Sequence, residues 1–515
     1  MQINSFSTQE TITRKKDYDK IIERDRGKLL MSQFKLRDAG VPVIILVSGG
    51  QTSGYTRVMN LLNEWMDTRF IQTHVHRPDS DEEADRPYFW KYWRQFPAAG
   101  STGLFLGGWY TQPFLERLHG KCDLSCFRKR ITGIKEMEQL LAVDGALIVK
   151  IWLHLDYNQK QQNKEEATNN RPESTWQVTM DDWQGDFTYD KKMELVSELT
   201  ESTHKPHAPW FKVDATDANT CDVSVMHLLT KVFEEHLQRG SSDTSAVNGT
   251  PLPEVTQKPL DRIDLKVKLK RSLYKEKMAG FWESIYVKAW QAHQRKQSVV
   301  IVLEGSDAAG KGGSIRRLIH CLDARLYQVI QIAAPTKEEK SRHYLWRFWM
   351  QIPRAGFLTI YDRSWYGRVL VERVENFATE EEWKRAYAEI NHFEKQLTES
   401  GIIVLKFWLQ ISKKEQMKRF KKREKTDYKQ YKLTDEDWRN RKKWDEYADA
   451  VNDMVAYTDT DYAPWHLVSA EDKKNARVSL LEAVETALAA HEPESEPVPV
   501  AEPLPESEAG LESSG

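Results

Sequence analysis

Residues 299–319 read VVIVLEGSDAAGKGGSIRRLI, in which an apolar run leads directly into a glycine-rich loop. The run at 299–303 is typical of a buried parallel strand. Gly305, Gly310 and Lys311 match the G-x-x-x-x-G-K part of a phosphate-binding loop, where backbone N–H groups and a lysine contact phosphate oxygens. The helix expected to begin near Gly312 would add its positive end. The predicted phosphate-binding residues are Gly305, Ala309, Gly310, Gly312 and Gly313.

The loop departs from the usual P-loop at Gly312, because a Ser or Thr that binds Mg²⁺ ordinarily stands there. Asp307, inside the loop, is the candidate replacement, and its alternative role is a cap at the start of the helix. A second β-prone run ends at Asp362, where P-loop enzymes place the acidic residue that positions Mg²⁺. Asp362 has the same alternative role as a helix cap. We therefore predict Mg²⁺ as the cofactor, with Asp307 and Asp362 as its protein ligands.

Arginines follow these motifs. Arg363 and Arg368 lie just after the second run and bring positive charge to the same end of the predicted sheet. Farther on, residues 413–443 contain fourteen Lys or Arg against six Asp or Glu. Charge runs are usually solvated helix faces, but Arg419 and Arg423 lie one helical turn apart after a predicted strand, as lid arginines of nucleotide kinases do. This charge favours a highly anionic substrate over a single triphosphate.

The chain also repeats itself. PYFWKYWRQFPAAGSTGLFLGGWYTQPFLER at 87–117 aligns with HYLWRFWMQIPRAGFLTIYDRSWYGRVLVER at 343–373. Identical residues recur in these two segments at a constant spacing of 256, among them Trp93 and Trp349. The sequence therefore contains two copies of one α/β unit. We predict domains at 1–239 and 260–490, joined by a Gly/Ser/Pro-rich linker at 240–259.

The counterpart of the P-loop in the first copy is LVSGGQTSGYT at 46–56. Aligned on its strand, this stretch falls on LEGSDAAGKGG, and four polar residues of the second copy then lack a counterpart. The exchanges are Gly50 for Asp307, Gly54 for Lys311, Leu106 for Asp362 and Gly107 for Arg363. We interpret the stretch as a degenerate P-loop in a domain that does not transfer phosphate. Such a domain could serve architecture, pairing with the second domain or guidance of the substrate.

Length and composition fit a globular protein of two or three domains, with 515 residues of which 40% are hydrophobic. No apolar run approaches the roughly 20 residues that a membrane-spanning helix needs. The polar N-terminus lacks the apolar core of a secretory signal, so we expect a cytoplasmic protein without a membrane partner. The net charge of -2 becomes +5 when the seven glutamates of 491–515 are set aside. We predict that this Pro/Glu/Ser-rich tail is disordered.

Four cysteines in so long a chain do not form a disulfide scaffold. Cys122 and Cys126 are not followed by a second Cys or His pair at zinc-finger spacing, so we expect free thiols. The sequence shows no helix-turn-helix, RNA-recognition or zinc-finger pattern, and we expect no nucleic-acid partner.

Together, GSDAAGKGG, YDRSWYGRVLVERVE, EEWKRAYAEINHFE and YAPWHLVSAEDKKNAR closely resemble the second polyphosphate kinase family, in its two-domain branch. The resemblance covers almost the whole chain outside the tail. It implies two tandem P-loop kinase-like domains, each a three-layer α/β/α unit with a parallel sheet, related to thymidylate kinase. It also implies Mg²⁺-dependent transfer of the terminal phosphate of polyphosphate to AMP, giving ADP. The active-site residues it implies are Asp307, Lys311, Asp362, Arg363, Arg368 and Arg423.

Two other functions fit the same residues. A nucleoside monophosphate kinase that uses ATP also needs a P-loop, a metal and arginines, although the excess of basic residues favours polyphosphate. A module that binds nucleotide or polyphosphate without turnover is the second alternative, and the presence of Lys311, Asp362 and Arg363 together argues against it. Related P-loop kinases commonly pair through helices, which leaves a homo-oligomer open.

Overall fold

The structure of the protein is a computed structural model. It describes residues 4–6, 11–12, 14–50, 53–159, 189–239, 252–253, 255–426 and 434–489. The predicted tail at 491–515 and most of the predicted linker at 240–259 lie outside these ranges. The described helices include none that is both long and apolar enough to cross a membrane.

The first half of the chain forms a parallel sheet. Within the described ranges this sheet has six strands in the order β1-β6-β5-β2-β4-β3. The strands are β1 (Asn4–Phe6), β2 (Val43–Gly49), β3 (Ile71–Val75), β4 (Thr102–Leu106), β5 (Leu147–His154) and β6 (Trp210–Asp214).

The second half forms a parallel sheet of five described strands in the order β11-β10-β7-β9-β8. The strands are β7 (Val299–Gly305), β8 (Tyr327–Gln331), β9 (Leu358–Asp362), β10 (Ile403–Gln410) and β11 (Trp465–Ser469). The chain leaves β7 toward β8 and β9 on one side and later returns to β10 on the other. The carboxyl end of β7 is therefore a topological switch point, where open α/β sheets bind ligands.

Helices accompany both sheets. In the first half they are α1 (Lys15–Asp38), α2 (Tyr55–Trp65), α3 (Asp81–Ala84), α4 (Trp90–Gln95), α5 (Thr111–Leu118), α6 (Leu124–Val143), α7 (Tyr189–Thr203) and α8 (Ala218–Arg239). In the second half they are α9 (Arg271–Gln294), α10 (Lys311–Ile319), α11 (Lys337–Lys340), α12 (Trp346–Trp349), α13 (Val371–Val374), α14 (Glu380–Glu399), α15 (Lys413–Glu424), α16 (Asp435–Lys442), α17 (Trp444–Thr458) and α18 (Lys473–Ala489). Short 3-10 segments lie at Thr68–Phe70, Pro259–Arg262 and Trp365–Val369.

Each sheet is buried on both faces, which explains why its central strands are continuously apolar. In β7, Val299, Ile301 and Leu303 pack into one core, whereas Val300 and Val302 pack into another. The second of these cores also contains residues of the first half. The predicted three-layer α/β/α architecture with parallel sheets is therefore confirmed, and one apolar core is shared between the halves.

The two halves repeat each other in register. The pairing of β2 with β5 recurs in the pairing of β7 with β10 after a shift of 256 residues. Gly54 and Gly310, also 256 apart, both precede their helices in the left-handed conformation, with φ of 75° and 117°. The predicted alignment of the two loops is thus wrong by one residue. Tyr55, and not Gly54, stands at the place of Lys311, and Gln51, and not Gly50, at the place of Asp307.

A buried ion pair anchors the same helix to the same strand in each half. Lys150 Nζ lies 2.7 Å from Glu138 Oε2, and Lys406 Nζ lies 2.8 Å from Glu394 Oε2. In the second half Tyr366 Oη also donates to Glu394, over 2.7 Å, and the matching tyrosine of the first half does likewise. Buried charges are stable only when paired and hydrogen-bonded, so this network is part of the shared framework.

The halves meet around a pseudo-twofold axis. Ala99 N–H donates to Ser341 O over 2.7 Å, and Ala355 N–H donates to Asp85 O over 2.8 Å. These are the same bond with the two halves exchanged, since each residue lies 256 positions from its counterpart. Between them the indole rings of α4 and α12 stack, with centroids 5.7 Å apart and planes at 14°. The two copies therefore pack as the subunits of a symmetric dimer do.

The expectation of free thiols at Cys122 and Cys126 is wrong, because these residues form a disulfide. The turn into α6 brings their Cα atoms to 5.7 Å, within the range that a disulfide requires. Cys221 and Cys321 are free and buried.

Candidate active site

The P-loop of the second half lies between β7 and α10, as its sequence predicts. Gly305 has φ of 155°, and a Cβ added there would lie 2.6 Å from Leu409 O, so no larger residue fits. Gly310 adopts the left-handed conformation that starts α10. The helix then directs its first N–H groups at the loop, which creates an anion-binding site.

Four of the predicted polar residues converge at this loop. Lys311 Nζ donates to Gly305 O over 2.6 Å, which places the lysine across the loop. Asp307 accepts a hydrogen bond from Asn440 Nδ2 at 3.0 Å and lies 3.8 Å from Arg363 Nη2. Burial would lower the pKa of Arg363, but the nearby carboxylates, Asp307 first, raise it above its ordinary value.

Asp362 is the last residue of β9 and pairs in register with the strand that leads into the P-loop. A Cβ built on Gly312 would lie 4.0 Å from Asp362 Oδ2. The carboxylate thus reaches the space into which the usual P-loop Ser or Thr would point. The following residue, Arg363, has φ of 66°, a left-handed conformation that is unusual for a residue with a side chain. This strain turns the arginine toward the loop.

Arg368 does not join this group. Its guanidinium forms an ion pair with Glu372 at 3.0 Å and lies 4.5 Å from the ring centroid of Tyr344. Only 13% of its side chain is exposed, and it is absent from the walls of the two cavities described below. The structure therefore places Arg368 behind the segment at 365–374, and a direct contact with substrate stays a prediction.

Arg419 braces the P-loop instead of acting as a lid arginine. It donates to Ala308 O at 3.0 Å, to Ala309 O at 2.8 Å and to Ala470 O at 2.8 Å. Its remaining N–H groups reach a further carbonyl and a carboxylate, so all five donors are used. The side chain is 6% exposed. The lid interpretation of Arg419 is therefore wrong, whereas Arg423 lines the cavity beside the loop, 4.0 Å from Asp437.

Two cavities of opposite character open beside the P-loop. The first has an apolar wall, made by Leu370, Val371, Trp408, Trp444, Tyr447 and Val451. The second is strongly basic, with Lys311, Arg316, Arg363, Arg419, Lys422, Arg423, Lys473 and Arg477 in its wall. Both cavities include Asp307, Lys311, Arg363 and Glu436. The apolar cavity and the basic cavity therefore meet at the predicted catalytic residues.

Several residues of these walls were not among those predicted from the sequence. Glu304, 5% exposed, accepts a hydrogen bond from Ser364 Oγ at 2.9 Å and lies beside the P-loop lysine. Burial raises the pKa of Glu304 above its ordinary value, although nearby cations oppose this. A charged residue at the end of the apolar run VVIVL was the available signal. Arg316, Lys473 and Arg477 had no such signal, because helices that are far apart in sequence bring them together.

In the first half, the side chain of Arg57 lies beside the corresponding loop. Arg57 forms an ion pair with buried Asp222 and donates to Ala218 O over 3.2 Å. Its guanidinium lies over the loop, since a Cβ added to Gly54 would be 3.2 Å from Arg57 Nη2. Gly313 stands at the equivalent place in the second half and leaves that space open.

Kinases generally bind a divalent metal with the phosphates of their substrate. Among the residues that the structure describes, no group of three or more His, Cys, Asp or Glu side chains could bind a metal ion by itself. A metal at this site would therefore need oxygen atoms from the substrate as well as from the protein.

Comparison with known proteins agrees with the duplication. The family "Polyphosphate kinase 2 (PPK2)" matches residues 12–240 and, a second time, residues 268–496. The chain is 43% identical over 481 residues to a polyphosphate:AMP phosphotransferase of Pseudomonas aeruginosa, covering 92% of this chain and 96% of the relative. It is 41% identical over 474 residues to a polyphosphate:AMP phosphotransferase of Pseudomonas syringae pv. tomato, covering 92% and 95%.

A solved structure shares the complete arrangement. The crystal structure of putative polyphosphate kinase 2 from Pseudomonas aeruginosa PA01 superposes with a TM-score of 0.82 and 41% sequence identity. The match covers 94% of this chain and 98% of that one. With its P-loop, its paired aspartates and its two matched copies, the chain belongs to the polyphosphate kinase 2 family.

Proposed function

We propose that the protein is a polyphosphate:AMP phosphotransferase, which transfers the terminal phosphate of inorganic polyphosphate to AMP and forms ADP. The observation that carries this proposal is the meeting of the apolar and basic cavities at Asp307, Lys311 and Arg363. Relatives that the chain matches over more than nine tenths of its length bear the same name. The proposal assigns one substrate to each cavity.

The apolar cavity fits the nucleoside of AMP. Trp408, Trp444 and Tyr447 offer ring faces on which a base can stack, and Leu370 and Val371 complete the apolar wall. Asn440 and Glu436 provide polar atoms at the end of the cavity nearest the P-loop. Pockets of this kind, apolar with a few convergent polar groups, are typical of small-molecule sites.

The basic cavity fits a polyphosphate chain. Its lining contains eight Lys or Arg side chains against four carboxylates, an excess of positive charge that attracts a polyanion. Lys473 and Arg477 lie at the start of α18, and Lys422 and Arg423 lie at the end of α15. A chain of phosphates can therefore contact cations of both helices while its terminal group lies in the P-loop.

We further propose that Mg²⁺ binds Asp307 and Asp362 together with phosphate oxygens. Both carboxylates line the basic cavity, and Mg²⁺ is usually bound by one or two carboxylates plus substrate phosphates. Asp362 Oδ2 lies 4.0 Å from where a Cβ on Gly312 would be, on the side of the missing Ser or Thr side chain. When bound there, the ion would neutralise charge on the transferred phosphate.

The residues of the site would act mainly by positioning and charge neutralisation. The 5'-phosphate of AMP is ionised near neutral pH and needs no strong base to become a nucleophile. Lys311 and the P-loop N–H groups would bind the transferred phosphate, and Arg363 would contact it from the acceptor side. Arg423, at the end of α15, would approach from the donor side. Charge that develops in the transition state then meets cations already in place.

A donor and acceptor panel tests the proposal. Purified protein is mixed with AMP and either polyphosphate or ATP, and ADP formation is measured with and without Mg²⁺. We expect ADP from AMP and polyphosphate only when Mg²⁺ is present. ADP formation with ATP alone as donor would make the protein a nucleoside monophosphate kinase. Binding of AMP and polyphosphate without any ADP would make it a binding module. The cytoplasmic location, the absence of a nucleic-acid partner and the formation of a homo-oligomer stay predictions.

A further inference from the structure

A chain of buried and partly buried polar side chains crosses the boundary between the two halves. Asp144, at the carboxyl end of α6 in the first half, accepts a hydrogen bond from Arg385 Nη2 at 2.5 Å. Arg385 Nε donates to Glu389 Oε1 at 2.9 Å. Glu389 Oε2 lies 3.5 Å from His343 Nε2. Leu345 N–H donates to His343 Nδ1, so the ring proton is on Nε2 and faces the carboxylate.

The chain continues toward the nucleotide cavity. His343 and Tyr344 have ring centroids 4.8 Å apart, and Arg368 lies over the Tyr344 ring at 4.5 Å. Burial, and next the charge of Glu389, raise the pKa of Tyr344 well above its ordinary value. Arg368 is then paired with Glu372 at 3.0 Å. We name the residues Asp144, Arg385, Glu389, His343, Tyr344 and Arg368 the interface charge chain.

The end of the interface charge chain supports one wall of the apolar cavity. Arg368 belongs to the 3-10 segment Trp365–Val369, and Glu372 belongs to α13. Gly367, Leu370 and Val371, from the same continuous stretch, line the apolar cavity. No residue between 364 and 374 lines the basic cavity. A shift of this stretch would therefore act first on the apolar cavity, which it lines directly.

The continuation of this chain beyond the interface is missing in the first half. With the shift of 256 residues, its sequence has Gly133 for Glu389, Pro87 for His343 and Gln112 for Arg368. A Cβ added at Gly133 would lie 3.2 Å from the ring of Phe89, so that ring fills the space. The counterpart of Asp144 in the second half is Ser400. The matching cation of the first half, Lys129, instead pairs with Glu399 of the second half at 3.4 Å. A carboxylate therefore crosses the interface in both directions, but only the one from Asp144 leads into the interface charge chain.

Asp144 is placed where its local structure does not favour it. The carboxyl end of a helix carries a partial negative charge, which disfavours a carboxylate there. Burial at the interface also raises the pKa of Asp144 above its ordinary value, although the nearby Arg385 charge opposes this. The side chain is only 27% exposed. Arg385 of the second half donates the hydrogen bond that stabilises the Asp144 carboxylate. The position of Asp144 is therefore explained by its contact across the interface.

We propose that Asp144 of the first half is a positioning residue for the nucleotide cavity of the second half. Its carboxylate orients Arg385, and the interface charge chain transmits that orientation to the stretch at 365–374. The inference deepens the proposed function, on which it rests for the identity of the nucleotide. It assigns a role in catalysis to a half that lacks the polar residues of the P-loop.

The experiment compares Asp144→Asn with Glu136→Gln in the full-length protein. Glu136 is also a carboxylate at the interface, 2.9 Å from His392 Nδ1, but its pair lies outside the interface charge chain. For both variants we measure the melting temperature, the Kd for AMP by calorimetry, and the KM for AMP and for polyphosphate. Asp144→Glu, which keeps the charge, is the conservative variant.

We expect Asp144→Asn to raise the Kd and KM for AMP by about tenfold and to leave the KM for polyphosphate within about twofold. Asp144→Glu should restore part of this loss, and Glu136→Gln should keep wild-type values for both substrates. Wild-type AMP affinity in Asp144→Asn would overturn the inference. A parallel loss in both variants that follows the melting temperature would also overturn it, since the interface would then act through stability alone. AMP binding without ADP formation in the wild-type protein would instead refute the proposed function.

Discussion

The two halves differ least where they are buried and most at the carboxyl ends of their strands. Lys150 and Glu138 in the first half match Lys406 and Glu394 in the second, with nearly the same distances. At the carboxyl ends of the strands, by contrast, Leu106 and Gly107 of the first half stand at the places of Asp362 and Arg363. A fold of this class can therefore lose its chemical groups and keep its framework, because the two depend on different residues.

The loops show how the loss is accommodated. In the second half Gly313 leaves the space beside the P-loop open, and cations surround that space. In the first half Arg57 lies over the loop and pairs with Asp222. Burial raises the pKa of Asp222 to about 6, although the Arg57 charge opposes this. An internal ion pair therefore lies beside the loop of the first half, where the second half has the basic cavity.

The largest difference is expected between Lys311→Ala and Tyr55→Ala, which change equivalent positions. Loss of the Lys311 charge should reduce phosphate transfer by about a thousandfold or more, because this lysine lies across the P-loop and would neutralise the transferred phosphate. Tyr55→Ala should change the rate by less than about twofold. The measurement is ADP formation at saturating AMP and polyphosphate, with circular dichroism as the control for folding. Activity in a folded Lys311→Ala protein would contradict the assignment of the site.

A change in the shared framework should affect both halves to a similar extent. Glu138→Gln and Glu394→Gln each leave a buried lysine without its carboxylate partner, which typically costs about 3–5 kcal/mol. We expect comparable losses of stability in the two variants, measured by urea denaturation of the full-length protein. If only Glu394→Gln were destabilised, the network would serve the active half and could not be a common framework.

The basic cavity should make polyphosphate binding depend on pH. Burial and the nearby Arg419 and Arg477 charges lower the pKa of Lys473 to about 8. Polyphosphate favours the charged lysine, so binding takes up a proton and weakens as the pH rises through 8. We expect the KM for polyphosphate to rise roughly tenfold between pH 7 and pH 9. Lys473→Arg should flatten this profile because arginine stays charged. A profile that is the same in both proteins would exclude Lys473 from the site.

The smallest effect is expected from Tyr55→Lys. This change restores the P-loop lysine of the first half, but Leu106, Gly107 and the overlying Arg57 remain. In a Lys311→Ala background we expect no recovery of ADP formation above the background rate. Recovery would show that the first half lacks only a lysine, and the other differences between the two loops would then have no effect on phosphate transfer.

Much of the fold was predictable because its signals are local or periodic. The strand, loop and helix at 299–319 are continuous in sequence, and the duplication appears as a fixed spacing. The one-residue error at Gly54 has a physical cause, since both loops are rich in small residues and give no side chain to align. The strand pairings and the left-handed glycines before the helices establish the correct register.

The features of the site that the sequence could not place depend on contacts between distant parts of the chain. Arg419 has the spacing of a lid arginine, but its partners are carbonyls of the P-loop and of the residues after β11. Arg368 follows Asp362 closely, yet the 3-10 segment turns its side chain away from the cavities. Asp144 and Arg385 are 241 residues apart and belong to different copies, so no spacing within one copy could relate them.

The paired bonds of Ala99 with Ser341 and of Ala355 with Asp85 have a consequence for how the molecule can change. In a dimer of identical subunits, every substitution at a twofold interface occurs twice and must suit both places. Here the two sides of the interface are encoded separately, and each can be altered alone. Because the copies are also tethered, their association does not weaken on dilution. The fused chain can therefore place Asp144 on one side and Ser400 on the other, a division of labour that two identical subunits cannot reach.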